Sequence, residues 1–235
     1  MEILGCPLPE DRLYDAEQGV WWQDEPGTGS ALVGVVASFS AFAGPFRELT
    51  FRPVDGPLVR GRSVATVEST RFVGAVRLPV DAEVLERNDA VRQRPRLLND
   101  RPYTDGWVVR ARASRPDQTP GLLASASAVR SRFEEEIRSR RIRCWPLTPE
   151  TELIEVGAEC SAVLARLNEE VARRAPGEAL LLVTDDPTSP IEMVRWSDQT
   201  GQAVLAHRDD AGVHRFLVQK LEHPVPRRRS PTGER

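Results

Sequence analysis

Between residues 13 and 114 the apolar positions come in short runs: 32–36, 48–51, 63–67, 74–78, 83–85 and 107–111. Gly27, Gly29, Gly44, Pro45, Pro53, Gly56, Pro57 and the Asn88-Asp89 pair interrupt the chain between them. Short apolar runs bounded by turn formers predict β-strands. Many such strands in succession predict a sandwich or a small barrel. From 121 to 141 the period changes. Ala126, Val129, Phe133 and Ile137 recur at spacings of three and four, which predicts a helix with one apolar stripe. Glu134, Glu135 and Glu136 precede Arg138, Arg140, Arg141 and Arg143, the acid-before-base order that a helix macrodipole favours.

A second unit begins near Cys144. Residues 151–156 (Thr-Glu-Leu-Ile-Glu-Val) alternate as in a half-exposed strand. Residues 161–174 predict a helix with Val163, Leu164, Leu167 and Val171 on one face, stopped by Pro176-Gly177. The continuous apolar run 179–183 predicts a buried central strand. Asp185-Asp186-Pro187 then offers an N-cap and a first-turn proline for a helix to about Ser197. Residues 202–207 and 213–220 flank Asp209-Asp210-Ala211-Gly212 as the arms of a hairpin. The order β-α-β-α-β-β predicts a two-layer α/β sandwich. The proline- and charge-rich tail, 222–235, predicts disorder.

Composition narrows the function classes. A length of 235 residues suits one large domain or two small ones. No run reaches the roughly 18–20 apolar residues of a membrane span. The Met1-Glu2-Ile3-Leu4-Gly5-Cys6 start lacks the basic and apolar parts of a secretory signal, so a cytoplasmic protein is expected. A net charge of −3 and a pI near 5.8 argue against nucleic acid or an anionic membrane as partner. The arginines after Ile137 then read as a solvated helix end. Three cysteines, Cys6, Cys144 and Cys160, are odd in number and widely spaced, which fits a reducing compartment better than a disulfide scaffold. No CxxC or Cys/His cluster suggests a metal. Cys6, near a mobile N-terminus, has no expected role, and Cys144 reads as a linker or strand-start residue. His207, His214 and His223 build no hydrolytic site. The first two could face each other across 209–212, although surface strand positions are the simpler reading. Of the 32 Lys and Arg residues one is a lysine, Lys220, leaving 31 arginines, so residues 1–219 hold no lysine amine that could carry lipoate, biotin or a Schiff base.

Several landmarks in the first half stand in a familiar order. They are Leu13-Tyr14 with Val20-Trp21, Leu32-Val33-Gly34-Val35, and Val67-Glu68-Ser69-Thr70-Arg71. Pro79-Val80, Glu83-Val84 and Asn88-Asp89 follow, then Leu97-Leu98-Asn99-Asp100, Pro102-Tyr103 and Gly106-Trp107. On these, residues 13–140 resemble the glycine-cleavage H protein, and the resemblance implies a barrel-sandwich hybrid of the lipoyl-domain type. The family's lipoyl lysine position holds Arg71. A guanidinium stays protonated and cannot act as the amine nucleophile for an amide, so no lipoate and no other cofactor is expected. Arg71 reads either as a solvated hairpin tip or as a fixed charge that meets an acidic patch on a partner.

Residues 147–221 resemble the TusA family of sulfur carriers. Gly157-Ala158-Glu159-Cys160 sits where that family has Gly-Leu-x-Cys-Pro-x-Pro, and Pro176-Gly177-Glu178 follows at the family's spacing, 176 − 160 = 16. Leu181-Leu182-Val183-Thr184-Asp185-Asp186-Pro187 and Phe216-Leu217-Val218-Gln219-Lys220 match its later strands. The prolines after the cysteine are replaced by Ser161 and Val163. The two resemblances together imply an α+β protein of two domains.

Cys160 is the expected catalytic residue. A sulfur carrier works through a thiolate, and a helix N-terminus lowers a thiol's pKa. The same cysteine shares a face with Val163, Leu164, Leu167 and Val171, so it also reads as a small core hydrophobe. Glu159 is expected to oppose ionisation, with Arg166 too far round the helix to compensate. The leading expectation is a persulfide relay, a sulfurtransferase-type carrier. A desulfurase or rhodanese-type donor loads Cys160, an acceptor enzyme takes the sulfur, and residues 13–140 supply docking. The alternative is a non-catalytic interaction scaffold built from two degenerate carrier domains. Whether the chain is an enzyme stays open at this level. Asp185 and Asp186 read as a helix cap, and Gly27-Thr28-Gly29 lacks the lysine and helix of a phosphate loop.

Overall fold

Side chains of consecutive strand residues point to opposite faces, and Trp21-Trp22 shows what this does to the N-terminal half. Trp22 packs with Val33, Phe46, Val67 and Val76, while Trp21 packs with Tyr14, Val36 and Phe133 in a second cluster. The structure, a computed structural model, describes residues 1–226. It separates into two units, Met1–Cys144 and a second beginning at Trp145.

In the first unit seven strands form one antiparallel sheet in the order Ala124–Ser125, Leu13–Asp15, Val20–Glu25, Ser30–Val35, Trp107–Ala113, Ala82–Arg87, Pro57–Leu58. A three-stranded sheet of Phe46–Phe51, Ser63–Ser69 and Val73–Arg77 packs against it, and the first core fills the space between them. Gly34 faces Trp21 across the sheet, and a Cβ there would lie 2.4 Å from the indole. Only glycine admits that ring, whose Nε1 donates to the Val35 and Pro102 carbonyls. Asn99 clamps a turn: its Oδ1 accepts from Phe46 N at 2.9 Å and its Nδ2 donates to Gly44 O at 2.9 Å. The Tyr103 hydroxyl accepts from Ala37 N and donates to Pro7 O.

Helix Ala126–Ser139 buries Ala126, Val129, Phe133 and Ile137, the predicted stripe, and Ser125 caps it. Three features depart from expectation. Asn88-Asp89 opens a short helix, Asp89–Gln93, with Asn88 as N-cap, rather than a plain turn. Helix Ala37–Ala43 has too few turns to show a period in the sequence. The N-terminus packs into the fold: Glu2–Ile3 and Cys6–Pro7 pair as strands, and Ile3, Cys6 and Leu8 are buried in one cluster with Val129, Phe133 and Ile137. Cys6 and Cys144 are joined by a disulfide across a separation of 138 residues. This overturns the reading of Cys6 as roleless and Cys144 as a linker, and removes the cysteine-count argument for a reducing compartment. A count cannot show which thiols a fold brings together.

In the second unit four strands run in the order Thr151–Glu155, Ala179–Thr184, Val213–Gln219, Ala203–Asp210, the first pair parallel and the others antiparallel. Helices Cys160–Arg173 and Ser189–Thr200 cover one face through Val163, Leu167, Val171, Met193 and Trp196 against Leu180, Leu182, Phe216 and Val218. Trp196 Nε1 donates to Asn168 Oδ1 at 2.8 Å and ties the two helices. Leu181, Val183 and Leu217 on the other face meet Trp145 and Leu147. Val225 and Pro226 pass over Gly201, whose φ is +71°. The rest of the predicted disordered tail, 227–235, lies outside the described residues.

Candidate functional site

Two loops of the second unit meet where the strands Thr151–Glu155 and Ala179–Thr184 end. One leads into the Cys160 helix and turns at Gly157, with φ +76°. The other, 185–188, leads into the Ser189 helix. Asp185 joins them: its Oδ1 accepts from Gly157 N at 2.7 Å. Asp186 shapes the second loop, accepting from Thr188 N at 2.8 Å and Thr188 Oγ1 at 2.7 Å. The predicted helix start at Pro187 is therefore corrected. Asp186 closes a side-chain turn over Pro187, and the helix begins two residues later with Pro190 in its first turn.

Cys160 is the first residue of its helix, which Glu159 enters in extended conformation without a side-chain cap. The thiol lies at the edge of a small cleft between the two helix starts. Val163, Leu182 and Met193 contribute apolar walls, and Thr184, Asp186, Ser189 and Glu192 also border it. Ser189 and Glu192 read in sequence as a capping box, Ser-x-x-Glu. The structure does not use it, because Thr188 is the N-cap residue and makes no side-chain cap. The Ser189 hydroxyl is buried, 4% exposed at residue level, and has no hydrogen-bond partner.

The electrostatics reverse one expectation. Burial pushes the Cys160 thiol up from the ordinary cysteine range, and the Asp186 and Glu192 charges and an S–H···Asp186 bond push the same way. A Thr188 hydrogen bond opposes them. The helix N-terminus, worth about 0.3–1 kcal/mol at a surface site, does not prevail. The opposing carboxylates come from across the cleft rather than from Glu159. Arg166, as expected, does not compensate, since it grips the buried Glu155 carboxylate at 2.9 and 3.1 Å. Asp186 is held below the usual carboxylate range, first by the Thr188 N–H and then by its hydroxyl. His214 also favours the Asp186 anion.

His214 is not a surface position. It is 8% exposed, beside Thr184 in the sheet register, and its Nδ1 lies 3.2 Å from His207 Nε2. His207 stacks on Phe216 at 4.3 Å, and burial lowers its pKa.

Arg71 belongs to the other unit. It sits exposed at the tip between Ser63–Ser69 and Val73–Arg77, lies over Gly44, and donates from Nη2 to Ala41 O at 3.3 Å. The tip offers a guanidinium where lipoate needs a primary amine. Lys220 belongs to the second unit and donates to Ala172 O. These residues do not fit a lipoyl group.

Sequence reasoning placed Cys160 but missed Thr188, Ser189 and Glu192. The only sequence signal for them was a serine and a glutamate in capping-box spacing, which points to a helix start and not to a cysteine 29 residues earlier (189 − 160). Among the described residues no helix is long and apolar enough to cross a membrane.

Comparison with known proteins follows the same division. Residues 155–220 match the family model for sulfurtransferase TusA. Residues 12–136 match that for the glycine cleavage H-protein. Glycine cleavage system H protein 5 of Aquifex aeolicus is 32% identical over 147 residues, 61% of this chain and 98% of that protein. A probable glycine cleavage system H protein 3 of Saccharolobus solfataricus is 34% identical over 139 residues, 59% of this chain and 97% of that one. A solved H protein from Mycobacterium marinum aligns at 25% identity with a TM-score of 0.47, covering 54% of this chain and 98% of its own. The H-protein match spans more than half of the chain and includes the Gly34, Asn99 and Tyr103 positions whose packing is described above. This chain therefore belongs to the glycine cleavage H-protein family and joins that domain to a TusA-matching one.

Proposed function

We propose that the chain is a sulfur carrier in which Cys160 holds sulfane sulfur as a persulfide, with the H-like unit as a docking module that carries no lipoate. The observation that carries this reading is Cys160 itself, on the first turn of its helix at the rim of a cleft, inside the segment that matches TusA. In the transfer, Cys160 sulfur attacks the outer sulfur of a donor persulfide, R–S–SH. The Cys160 S–S bond forms and the donor S–S bond breaks. The donor sulfur leaves with the bonding electron pair and takes up the proton that Cys160 gives up. No external oxidant or reductant enters. Delivery to an acceptor enzyme is the same exchange in reverse. Domain limits of 13–140 and 147–221 belong to this reading, as do a barrel-sandwich hybrid for the first and a βαβαββ two-layer sandwich for the second.

The resting thiol needs activation. Asp186 and Glu192 favour its protonated form, so the fitting donor or acceptor is a protein that brings a basic group to the cleft and offsets those charges. A desulfurase or rhodanese-type protein is the proposed donor. The same raised thiol is what favours the second reading, a non-catalytic scaffold.

Incubation with a cysteine desulfurase and cysteine, followed by intact mass measurement, tests the choice. The expected product is heavier by one sulfur atom, bears no lipoyl adduct, and is lost in Cys160→Ser. No gain of sulfur on Cys160 would leave the scaffold reading.

A further inference from the structure

We propose that the Ser189 hydroxyl is the binding group for the outer sulfur of a Cys160 persulfide, an inference that rests on the carrier reading above. Ser189 lines the Cys160 cleft together with Val163, Leu182 and Met193. Its residue is 4% exposed, and its Oγ has no partner in the protein. Buried hydroxyls are nearly always hydrogen-bonded, and one that is not calls for a specific explanation. Local structure does not supply one. The hydroxyl is not used as a helix cap, although the Ser-x-x-Glu spacing would allow it. An alanine at 189 would cost the resting fold nothing by hydrogen bonding, since it would remove an unpaired buried group.

A persulfide supplies what the resting site lacks. The outer sulfur extends the Cys160 side chain by one atom, and when ionised it is an acceptor with full charge. A hydroxyl can donate to it, and a hydrogen bond to a charged acceptor is about twice as strong as a neutral one. The other polar groups near the thiol are differently engaged. Asp186 and Glu192 are carboxylates and repel a sulfur anion, the Thr188 hydroxyl donates to Asp186, and the Thr184 hydroxyl accepts from Asp186 N, which leaves Ser189 as the cleft hydroxyl with no hydrogen bond of its own. Ser189 therefore favours the loaded state over the unloaded one.

The test is an equilibrium on the full chain. In the exchange of Cys160–S–SH with glutathione to give Cys160–SH and glutathione persulfide, every atom is conserved and the ratio is read from intact mass. Ser189→Ala is expected to shift this partition about tenfold away from the loaded protein. It should leave the melting temperature and the alkylation rate of unloaded Cys160 unchanged. Ser189→Thr keeps the hydroxyl and is expected to stay within about threefold of the wild type. A Ser189→Ala partition equal to the wild type, or equal losses in the alanine and threonine variants, would overturn the role of the hydroxyl while leaving the carrier reading intact. A wild-type protein that takes no sulfur at any glutathione persulfide ratio overturns both.

Discussion

Cys160 illustrates how much of a reactive residue depends on chain segments far from it in sequence. Its position beside a helix start was legible from the period of Val163, Leu167 and Val171 and the stop at Pro176-Gly177, which placed the helix at 161–174 with Cys160 just before it. Its charge environment was not, because that comes from the loop and helix after Thr184. Raised by burial first and by two carboxylates next, the thiol is the dominant form at neutral pH. Alkylation should therefore rise with pH and reach its half-maximal rate only above the roughly 8.5 of free cysteine. Glu192→Gln removes one opposing charge without touching the Asp186–Thr188 turn. It should raise the alkylation rate at pH 7.5 by about twofold to fivefold, the scale of a partly screened charge, and shift the profile to lower pH. Glu159→Gln should change the rate less. Stopped-time labelling with iodoacetamide distinguishes the two, and a larger effect at Glu159 would refute the assignment of the opposing charge.

At the scale of elements, the helix Ala126–Ser139 and the hairpin Glu2–Pro7 behave oppositely as objects of prediction. The helix has four buried positions at helical spacing and was readable residue by residue. The hairpin has two strands of two residues each, too short for any period, and it is stabilised by what it packs on. The disulfide then links it to the segment after the helix, where Ile142 is also buried. Ile142 N donates to Ile137 O, so the apolar stripe continues past Ile137 and the segment 138–144 is not a loose linker. A disulfide typically contributes about 2–4 kcal/mol. Thermal melting with and without reductant should show the N-terminal unit losing stability of that order on reduction. Cys6→Ser should reproduce the loss. A melting point that ignores the reductant would mean that the hairpin is held by packing alone.

The whole molecule is two units with their own cores, and the division at Cys144 and Trp145 makes a prediction about folding. A fragment of residues 145–226 should fold alone, with a cooperative thermal transition and the Cys160 alkylation profile of the full chain. A fragment without either would show that the boundary cuts through one cooperative structure. The sequence by itself determined the longer strands of the first unit from 30 to 113, the striped helices of both units, the buried strand Ala179–Thr184 and the place of Cys160. Each of these rests on a local rule, either side-chain period or a turn former at a fixed offset. Tertiary structure alone decided the Cys6–Cys144 bond, the inward placement of His214 and the meeting of Cys160 with Asp186, Ser189 and Glu192. It also decided that the Ser189 hydroxyl is buried without a partner. Those outcomes depend on which chain segments are brought together across long separations, and neither period nor spacing along one segment records the chemistry of the segment that will face it.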